Sequence, residues 1–557
     1  MKDILASGTV WTRRMSRRDL IRWSLAAGAG GLLLQGCASP PESPSATRPV
    51  EGAATVSPTA RPTPAIASPD AVAVLAVSRS LVDGEKNPWY MHSSLMCWEP
   101  LIGLNDYLEP VPVLAEGWEL SADGLTWTFH LRTGVAFTDG TPFTADVVVK
   151  NVERDFKISP RSSSFFTMDA KAVFGDLAEV KKVDDHTVVF RHNKPFPVME
   201  ATLANFPSAM FSPGSFAASG DFAGIPATTG PFRLVDWQRD QTARLLRNDG
   251  YWGAKARVKE IVVREIPDAN TRLAALEAGQ VDAIVELWAL QPAQAEQLRA
   301  DQRFVVRADP ISIAQFLFFN CGRPPFDNPR LRQAFAYAID REAVVKNIYF
   351  GYGNPNTGLL SSISRRWFSP KGVVPYDPAR AASLAQQELR GQRVEVALPF
   401  DGSPGNARSY KEMVEYLQSV VRPLGFDLRL QAVEAAALTD IQSHGEWNLA
   451  VQNGYGWANG DPDWRMRAML YSKGSINITK KMGYHNDEVD RLIDQGVLER
   501  DESKRFAIYE QLQEISATEV PVIAIYDELS PYAYSKSISN LRERVTYQPS
   551  LELMEKK

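Results

Sequence analysis

The chain has 557 residues, of which 44% are hydrophobic and 23% charged, with a formal net charge of −5. That length predicts two or three lobes, and the balance is that of a soluble globular protein; wholesale disorder and a fibrous repeat are excluded. No apolar run beyond residue 36 approaches the roughly 18–20 residues a membrane span needs. The charge argues against a dedicated nucleic-acid binder, and three cysteines are too few for a disulfide scaffold.

Residues 1–36 read as an export signal. Arg13, Arg14, Arg17, Arg18 and Arg22 form a basic region, followed by a short apolar, small-residue stretch from Trp23 to Leu34. Ser16-Arg17-Arg18-Asp19-Leu20-Ile21 has the form of a twin-arginine signal, and Leu34-Gln35-Gly36-Cys37 that of a lipobox, which makes Cys37 the expected lipidation site. The signal carries a net charge of +4, so its removal leaves −9. Residues 37–70 continue as a tether: Ala38–Asp70 holds eight prolines among Ser, Thr and Ala and cannot bury enough surface to offset its ordering entropy. Cys97 and Cys321 are expected as buried free thiols.

From residue 71 strands and helices alternate, which predicts an α/β protein. Leu125, Trp127, Phe129 and Leu131 alternate with polar residues and form a strand with one buried face after the Asp123-Gly124 turn. Gly134–Pro142 is a loop-rich hairpin region. A helix is predicted over Thr144–Arg154, capped by Thr144. Asn270–Gly279 is a short helix and Val281–Val285 a strand. Asn328-Pro329 starts a helix with Leu331, Ala334, Phe335, Ala338 and Ile339 on its core face. Asp340 caps another, ended by Gly351. Tyr410–Val421 has helical spacing, Pro423 and Gly425 stop it, and Phe426, Leu428 and Leu430 alternate beyond. Leu449–Val451 is an apolar strand. Phe506, Tyr509, Leu512 and Ile515 mark a late helix, and Val520–Tyr526 a final strand.

No HExxH, GxSxG, Walker loop or GxGxxG after a strand is present. No Cys/His cluster has zinc spacing, and Asp461 and Asp463 lack the further oxygen donors of a calcium loop. No catalytic residue, metal or cofactor is therefore expected.

Ordered blocks resemble the family 5 extracellular solute-binding proteins of ABC importers. Leu114-Ala115-Glu116-Gly117-Trp118, Asp123-Gly124-Leu125-Thr126-Trp127-Thr128-Phe129 and Phe137-Thr138-Asp139-Gly140-Thr141-Pro142-Phe143 come first. Thr229-Gly230-Pro231-Phe232, Asn248-Asp249-Gly250-Tyr251-Trp252, Leu276-Glu277-Ala278-Gly279-Gln280-Val281-Asp282 and Ala338-Ile339-Asp340-Arg341 follow in family order. These blocks specify fold more than function. Trp127 and Phe129 are read as core residues, and Arg341 as a helix-surface or interlobe ion pair.

The resemblance implies a two-lobed periplasmic-binding-protein-like fold with an extra subdomain in the first lobe. Lobe I would span 71–310, with an inserted subdomain about 104–214; lobe II would span 311–519, and 520–557 would return to lobe I. Its cleft residues map onto the loop Asn453–Trp464. Peptide-binding relatives place an aspartate for the peptide amine shortly after a tryptophan; here Trp457 is followed by Ala458 and Asn459, with Asp461 and Asp463 slightly later. The Asp463, Trp464, Arg467 pattern is similar to the glutathione-type branch. Tyr455, Trp457, Asn459, Asp461, Asp463, Trp464 and Arg467 are the candidate ligand-binding residues, the two aspartates standing either as amine acceptors or as caps of the turn around Pro462. Arg161 is a further candidate, either a carboxylate clamp or a solvated loop arginine; Ser164 and Phe206 replace the other residues of a nickel-type site.

The implied function is that of a lipid-anchored, exported, monomeric receptor at the outer face of the cytoplasmic membrane. It would hand a short peptide or peptide-like solute to ABC permease subunits, touching the membrane through its lipid alone and nucleic acid not at all. An oligosaccharide, an opine or a nickel chelate on the same scaffold, or a secreted hydrolase, are the alternatives.

Overall fold

The computed structural model describes residues 70–78, 97–162, 167–204, 208–361, 363–403, 410–453 and 460–557; at 161–162, 167–168 and 452–453 it describes the backbone alone. A nine-stranded mixed sheet runs through the molecule. Its order is Phe232–Gln238, Thr242–Arg247, Glu260–Glu265, Val72–Val77, Ala283–Ile284, Val522–Ser535, Phe304–Phe319 and Leu449–Asn453, with Gly353–Pro355 also pairing to Val522–Ser535. Val72–Val77 lies parallel to both of its neighbours, and the other pairings are antiparallel.

Two strands in this sheet are unusually long. Phe304–Phe319 and Val522–Ser535 pair from Phe304 opposite Ser535 to Phe318 opposite Val522. One end of the pair joins the sheet containing Val72–Val77; the other joins Leu449–Asn453. The pair thus belongs to both lobes. At one end the core gathers Leu75, Phe232, Ile261, Tyr532 and Tyr534; at the other, Leu317, Phe319, Phe335, Met413, Leu417 and Ile523. The molecule is α/β and two-lobed, and Ala65–Lys557 make one compact unit.

A separate four-stranded antiparallel sheet, in the order Ala115–Leu120, Thr126–Leu131, Thr187–His192 and Leu177–Asp184, carries its own core. The period-two strand is there: Trp127, Phe129 and Leu131 are buried, and Phe129 meets Phe190 edge-on at 5.4 Å between centroids. Gly124 takes φ +74° in the preceding turn, a conformation that costs a side chain-bearing residue about 1–2 kcal/mol.

The expected helices form, with adjusted ends. Asn328 caps Pro329–Tyr337 by accepting from the Arg330 N–H, and Asp340 caps Arg341–Asn347 by accepting from the Ala343 N–H. Thr144 occupies the cap position of Ala145–Ile158, but its side chain makes no capping bond. The helix after Asp340 ends at Asn347, before Gly351. Arg341 corrects a sequence expectation: it is buried, and its guanidinium donates to the carbonyls of Ala524 and Ile339. Burial pulls its pKa down to about 10. It joins its helix to the second long strand through carbonyls where an ion pair was expected, because the helix packs directly against that strand. Cys97 and Cys321 form no disulfide: Cys97 is buried in the core around Leu75, and Cys321 is partly buried against the other lobe's core.

Asp155, on Ala145–Ile158, is buried 3.6 Å from Arg154, whose guanidinium lies 4.5 Å from the rings of Phe216 and Phe222. Burial pushes the Asp155 carboxyl up to about 7, against the pull of Arg154. The folded chain therefore holds this proton more tightly than the unfolded chain. The resulting stability is present below the ordinary carboxyl range and is lost as pH rises through about 7. Asp155→Asn should flatten the fall in thermal midpoint between pH 5 and pH 8; a variant whose midpoint falls as steeply as the parent's would contradict this.

Candidate functional site

The ladder between the long strands is not continuous. Pro310 stands opposite Leu529, yet the next pair is Ala314 with Asp527, and a second shift follows between Gln315 and Phe316. Such bulges bend and twist a ribbon, and they commonly adjoin functional sites. This break lies midway along the strand pair, between the cores at its two ends.

Polar groups crowd the break. Asp527 is buried and accepts from Asn356 Nδ2 at 2.8 Å and Ser361 Oγ at 2.7 Å. Burial raises its pKa, against those hydrogen bonds and the charge of Arg465. Arg465 is itself fully buried; it donates to the Leu359 carbonyl, and its guanidinium lies 5.3 Å from the Phe316 ring centroid. Glu528, the next residue, accepts from Trp288 Nε1 at 2.5 Å. Trp288 follows the short strand Ala283–Ile284, so this bond ties the hinge to the carboxyl end of the parallel strands. Glu286 in the same loop accepts from the Ser78 N–H at 3.2 Å, just beyond Val72–Val77.

Open α/β sheets bind ligands outside the carboxyl ends of their parallel strands. The loop here carries a second mark of a site. Glu286 has φ +87° and Trp288 φ +64°, conformations that bulky residues adopt at a cost of about 1–3 kcal/mol each and that gather at functional sites. Ser78, Glu286, Trp288, Asp527 and Glu528 therefore form a candidate site absent from the sequence reading. The signal available in the sequence was the acidic and aromatic run Glu286-Leu287-Trp288 after the Val281-Asp282 block, which reads as core until the strand ends are known.

Of the sequence-predicted residues, Tyr455, Trp457 and Asn459 lie outside the described residues, as do Cys37, Ser164 and Phe206. The backbone of Arg161 pairs with Met168 in a two-residue ladder. Asp461 caps the helix Pro462–Leu470 by accepting from the Asp463 N–H, and its carboxylate takes both arms of the Arg505 guanidinium at 2.8 and 2.9 Å. Asp463 takes both arms of Arg467 at 2.9 and 3.1 Å. Burial raises the Asp463 pKa, and Arg467 opposes the shift. Arg467 also reaches Asp494 at 2.9 Å. The two aspartates and Arg467 thus join neighbouring helices, and Trp464 is exposed on the same helix.

Gly460, with φ +72°, is the contact point between this segment and the first lobe. A Cβ there would collide with the Leu108 carbonyl oxygen. Leu108 packs with Phe316, Trp367 and Met466 although its hairpin, Ile102–Leu104 with Pro110–Pro112, precedes the four-stranded sheet. A small crevice beside this contact is lined by Glu109, Glu200, Arg366, Asp461 and Arg505. A larger cavity of about 450 Å³ lies between the hairpin, the Tyr251-Trp252 turn and residues 542–552. Glu99 in its wall is buried and accepts from Tyr251 Oη at 2.7 Å and Trp252 Nε1 at 2.9 Å. Among the described residues, no group of three or more His, Cys, Asp and Glu could hold a metal ion, and no helix is long and apolar enough to cross a membrane.

The model of the bacterial extracellular solute-binding proteins, family 5 Middle, matches residues 109–477. The chain is also similar to the glutathione-binding protein GsiB of Salmonella choleraesuis strain SC-B67, 27% identical over 489 residues that cover 86% of this chain and 92% of the relative. In fold it resembles NikA from Brucella suis, crystallised with Fe(III)-EDTA (TM-score 0.75, 23% identity, covering 87% of this chain and 100% of NikA). It also resembles the periplasmic binding protein DppA from Helicobacter pylori in complex with the peptide STSA (TM-score 0.67, 23% identity, covering 87% and 98%). Two lobes joined by a crossing strand pair define a solute-binding protein. The chain belongs to the family 5 extracellular solute-binding proteins, the substrate-binding components of ABC importers. It is a binding protein and not an enzyme.

Asp461 is buried and Arg505 half-buried, and removing one member of such a pair leaves a poorly compensated charge. Asp461→Asn, which keeps the cap, should lower unfolding stability by about 3 kcal/mol in denaturant titration. A loss below about 0.5 kcal/mol would assign the pair no structural role.

Proposed function

We propose that this protein captures short peptides or peptide-like solutes outside the cytoplasmic membrane and delivers them to an ABC permease while held by a lipid on Cys37. The observation that carries the reading is the convergence of buried and half-buried polar groups on the strand break: Trp288 against Glu528, Ser78 against Glu286, and Asn356 and Ser361 against Asp527. A solute with amide and charged groups fits such a surface better than an apolar one, because each buried polar group favours a partner. The glutathione-binding relative and the peptide complex of a structural neighbour support the same cargo class.

Binding between lobes favours whichever arrangement makes contacts from both sides, so cargo shifts the hinge toward closure by its differential affinity for that arrangement. The permease would then recognise the closed receptor. Trp464, exposed on its helix, and the segment before Gly460 are the proposed selectivity elements, with Tyr455, Trp457 and Asn459 supplying aromatic and amide contacts. Asp461, Asp463 and Arg467 hold that segment on rigid helices. Arg161 is proposed as a carboxylate clamp. The cation-rich, then apolar run before Leu34-Gln35-Gly36-Cys37 supports export and lipidation.

Calorimetric titration should show saturable heat with a pool of tripeptides that includes glutathione, and none with a pool of oligosaccharides. Heat with the sugars alone would overturn the cargo class. Cys37→Ser should move the protein from the membrane to the soluble fraction; unchanged membrane association would refute the lipid anchor.

A further inference from the structure

Among the described residues, two buried side chains at the strand break have no hydrogen-bond partner. Gln315 is 1% exposed, and among the described residues neither its Oε1 nor its Nε2 has a hydrogen-bond partner. Ser530 is also 1% exposed, and its Oγ is likewise without one. Buried amides and hydroxyls are nearly always satisfied, and leaving one unsatisfied costs about 1–3 kcal/mol. Two such groups within a few residues of one another call for a common cause.

Their register supplies it. Gln315 pairs with Tyr526, so the two side chains share a face of the ladder. Along Val522–Ser535 the side chains alternate, which puts Tyr526, Glu528 and Ser530 on that same face. The ladder break falls between them: Ala314 with Asp527 is the pair on one side, and Pro310 with Leu529 the pair on the other. Gln315 thus stands on the side of the second lobe and Ser530, opposite Asp309, on the side of the first. Glu528 lies between them, held by Trp288 from the strained loop. On its other side Gln315 pairs with Asn453, the last residue of Leu449–Asn453.

We propose that Gln315 and Ser530 form an amide-reading subsite that spans the hinge and receives successive peptide groups of the cargo. This rests on the peptide-like cargo proposed above and names the residues that read it. The chemistry is matched on both sides. A primary amide with an open acceptor and an open donor is the hydrogen-bonding complement of a peptide C=O and N–H, and a hydroxyl can donate to or accept from the same group. Because the two side chains sit on opposite sides of the break, cargo whose successive peptide groups bond one and then the other would hold the lobes at one hinge angle. The subsite reads main chain and ignores side chains, which suits a receptor of varied cargo. It differs in kind from a terminal clamp, since it carries no charge.

The test uses the mature protein and Gln315→Met, which keeps the side-chain length and removes both amide atoms. Unliganded Gln315→Met should be at least as thermostable as the parent, because an unsatisfied amide has been replaced by an apolar group. It should bind the tripeptide pool about tenfold or more weakly by calorimetry. Gln315→Glu, which keeps the acceptor and exchanges the donor for charge, should weaken binding by a similar factor. Ser530→Ala should weaken it by a smaller factor and leave the midpoint unchanged. Parental affinity in all three variants would overturn the subsite while leaving peptide capture intact. A marked drop in the midpoint of unliganded Gln315→Met would overturn it too, by showing that the amide is satisfied within the fold. A parent protein that binds no tripeptide would overturn both the subsite and the cargo class.

Discussion

Everything in this molecule that bears on binding depends on one constraint: two long antiparallel strands must serve both lobes. A continuous ladder would lock the lobes together, since each paired rung fixes the next. The shifts between Pro310 and Ala314 and between Gln315 and Phe316 relieve that lock while keeping the strands paired at both ends. The chain gains a hinge without a flexible linker. The backbone disruption is concentrated at a few residues, and polar groups such as Asp527 and Glu528 gather beside it.

Charges elsewhere are used differently. Asp461 with Arg505, and Asp463 with Arg467, are ion pairs with two-armed geometry, and Arg467 reaches Asp494 through one further bond. They fix the helix that follows the proposed selectivity segment. Gly460, just before that helix, lies against the Leu108 carbonyl, an approach that a side chain would prevent. The first lobe answers with Leu108, whose own φ is +63° and whose side chain packs with Phe316 and Trp367.

How far the site could be read from sequence follows from the range of the forces involved. The family resemblance points to the loop that holds Tyr455, Trp457 and Asp461, where glycine, aromatic and acidic residues follow an apolar strand. The nature of the cluster was visible, but the commitment of Asp461 to Arg505, 44 residues away, was not. Glu286 and Trp288 lie just past the strand expected at Val281–Val285, and only the pairing of Trp288 with Glu528 across 240 residues shows them at the edge of the parallel strands. Arg341 was expected in an ion pair because exposed helix arginines usually find one; its burial against the Ala524 carbonyl follows from the packing of its helix on the second long strand.

The sequence by itself determined the local elements: the alternating strand through Trp127 and Phe129, the caps at Asn328 and Asp340, the turn at Gly124 and the family these blocks belong to. Each is decided by free energies between residues at most a few positions apart, so each leaves a periodic or positional trace. The tertiary structure alone decided the register break of the long strands, the ion pairs that hold Pro462–Leu470, and the burial of the Gln315 amide among groups that do not bond it. Those outcomes depend on which distant segments meet, and the cost of an unmet hydrogen bond exists only once the surrounding chain has excluded water.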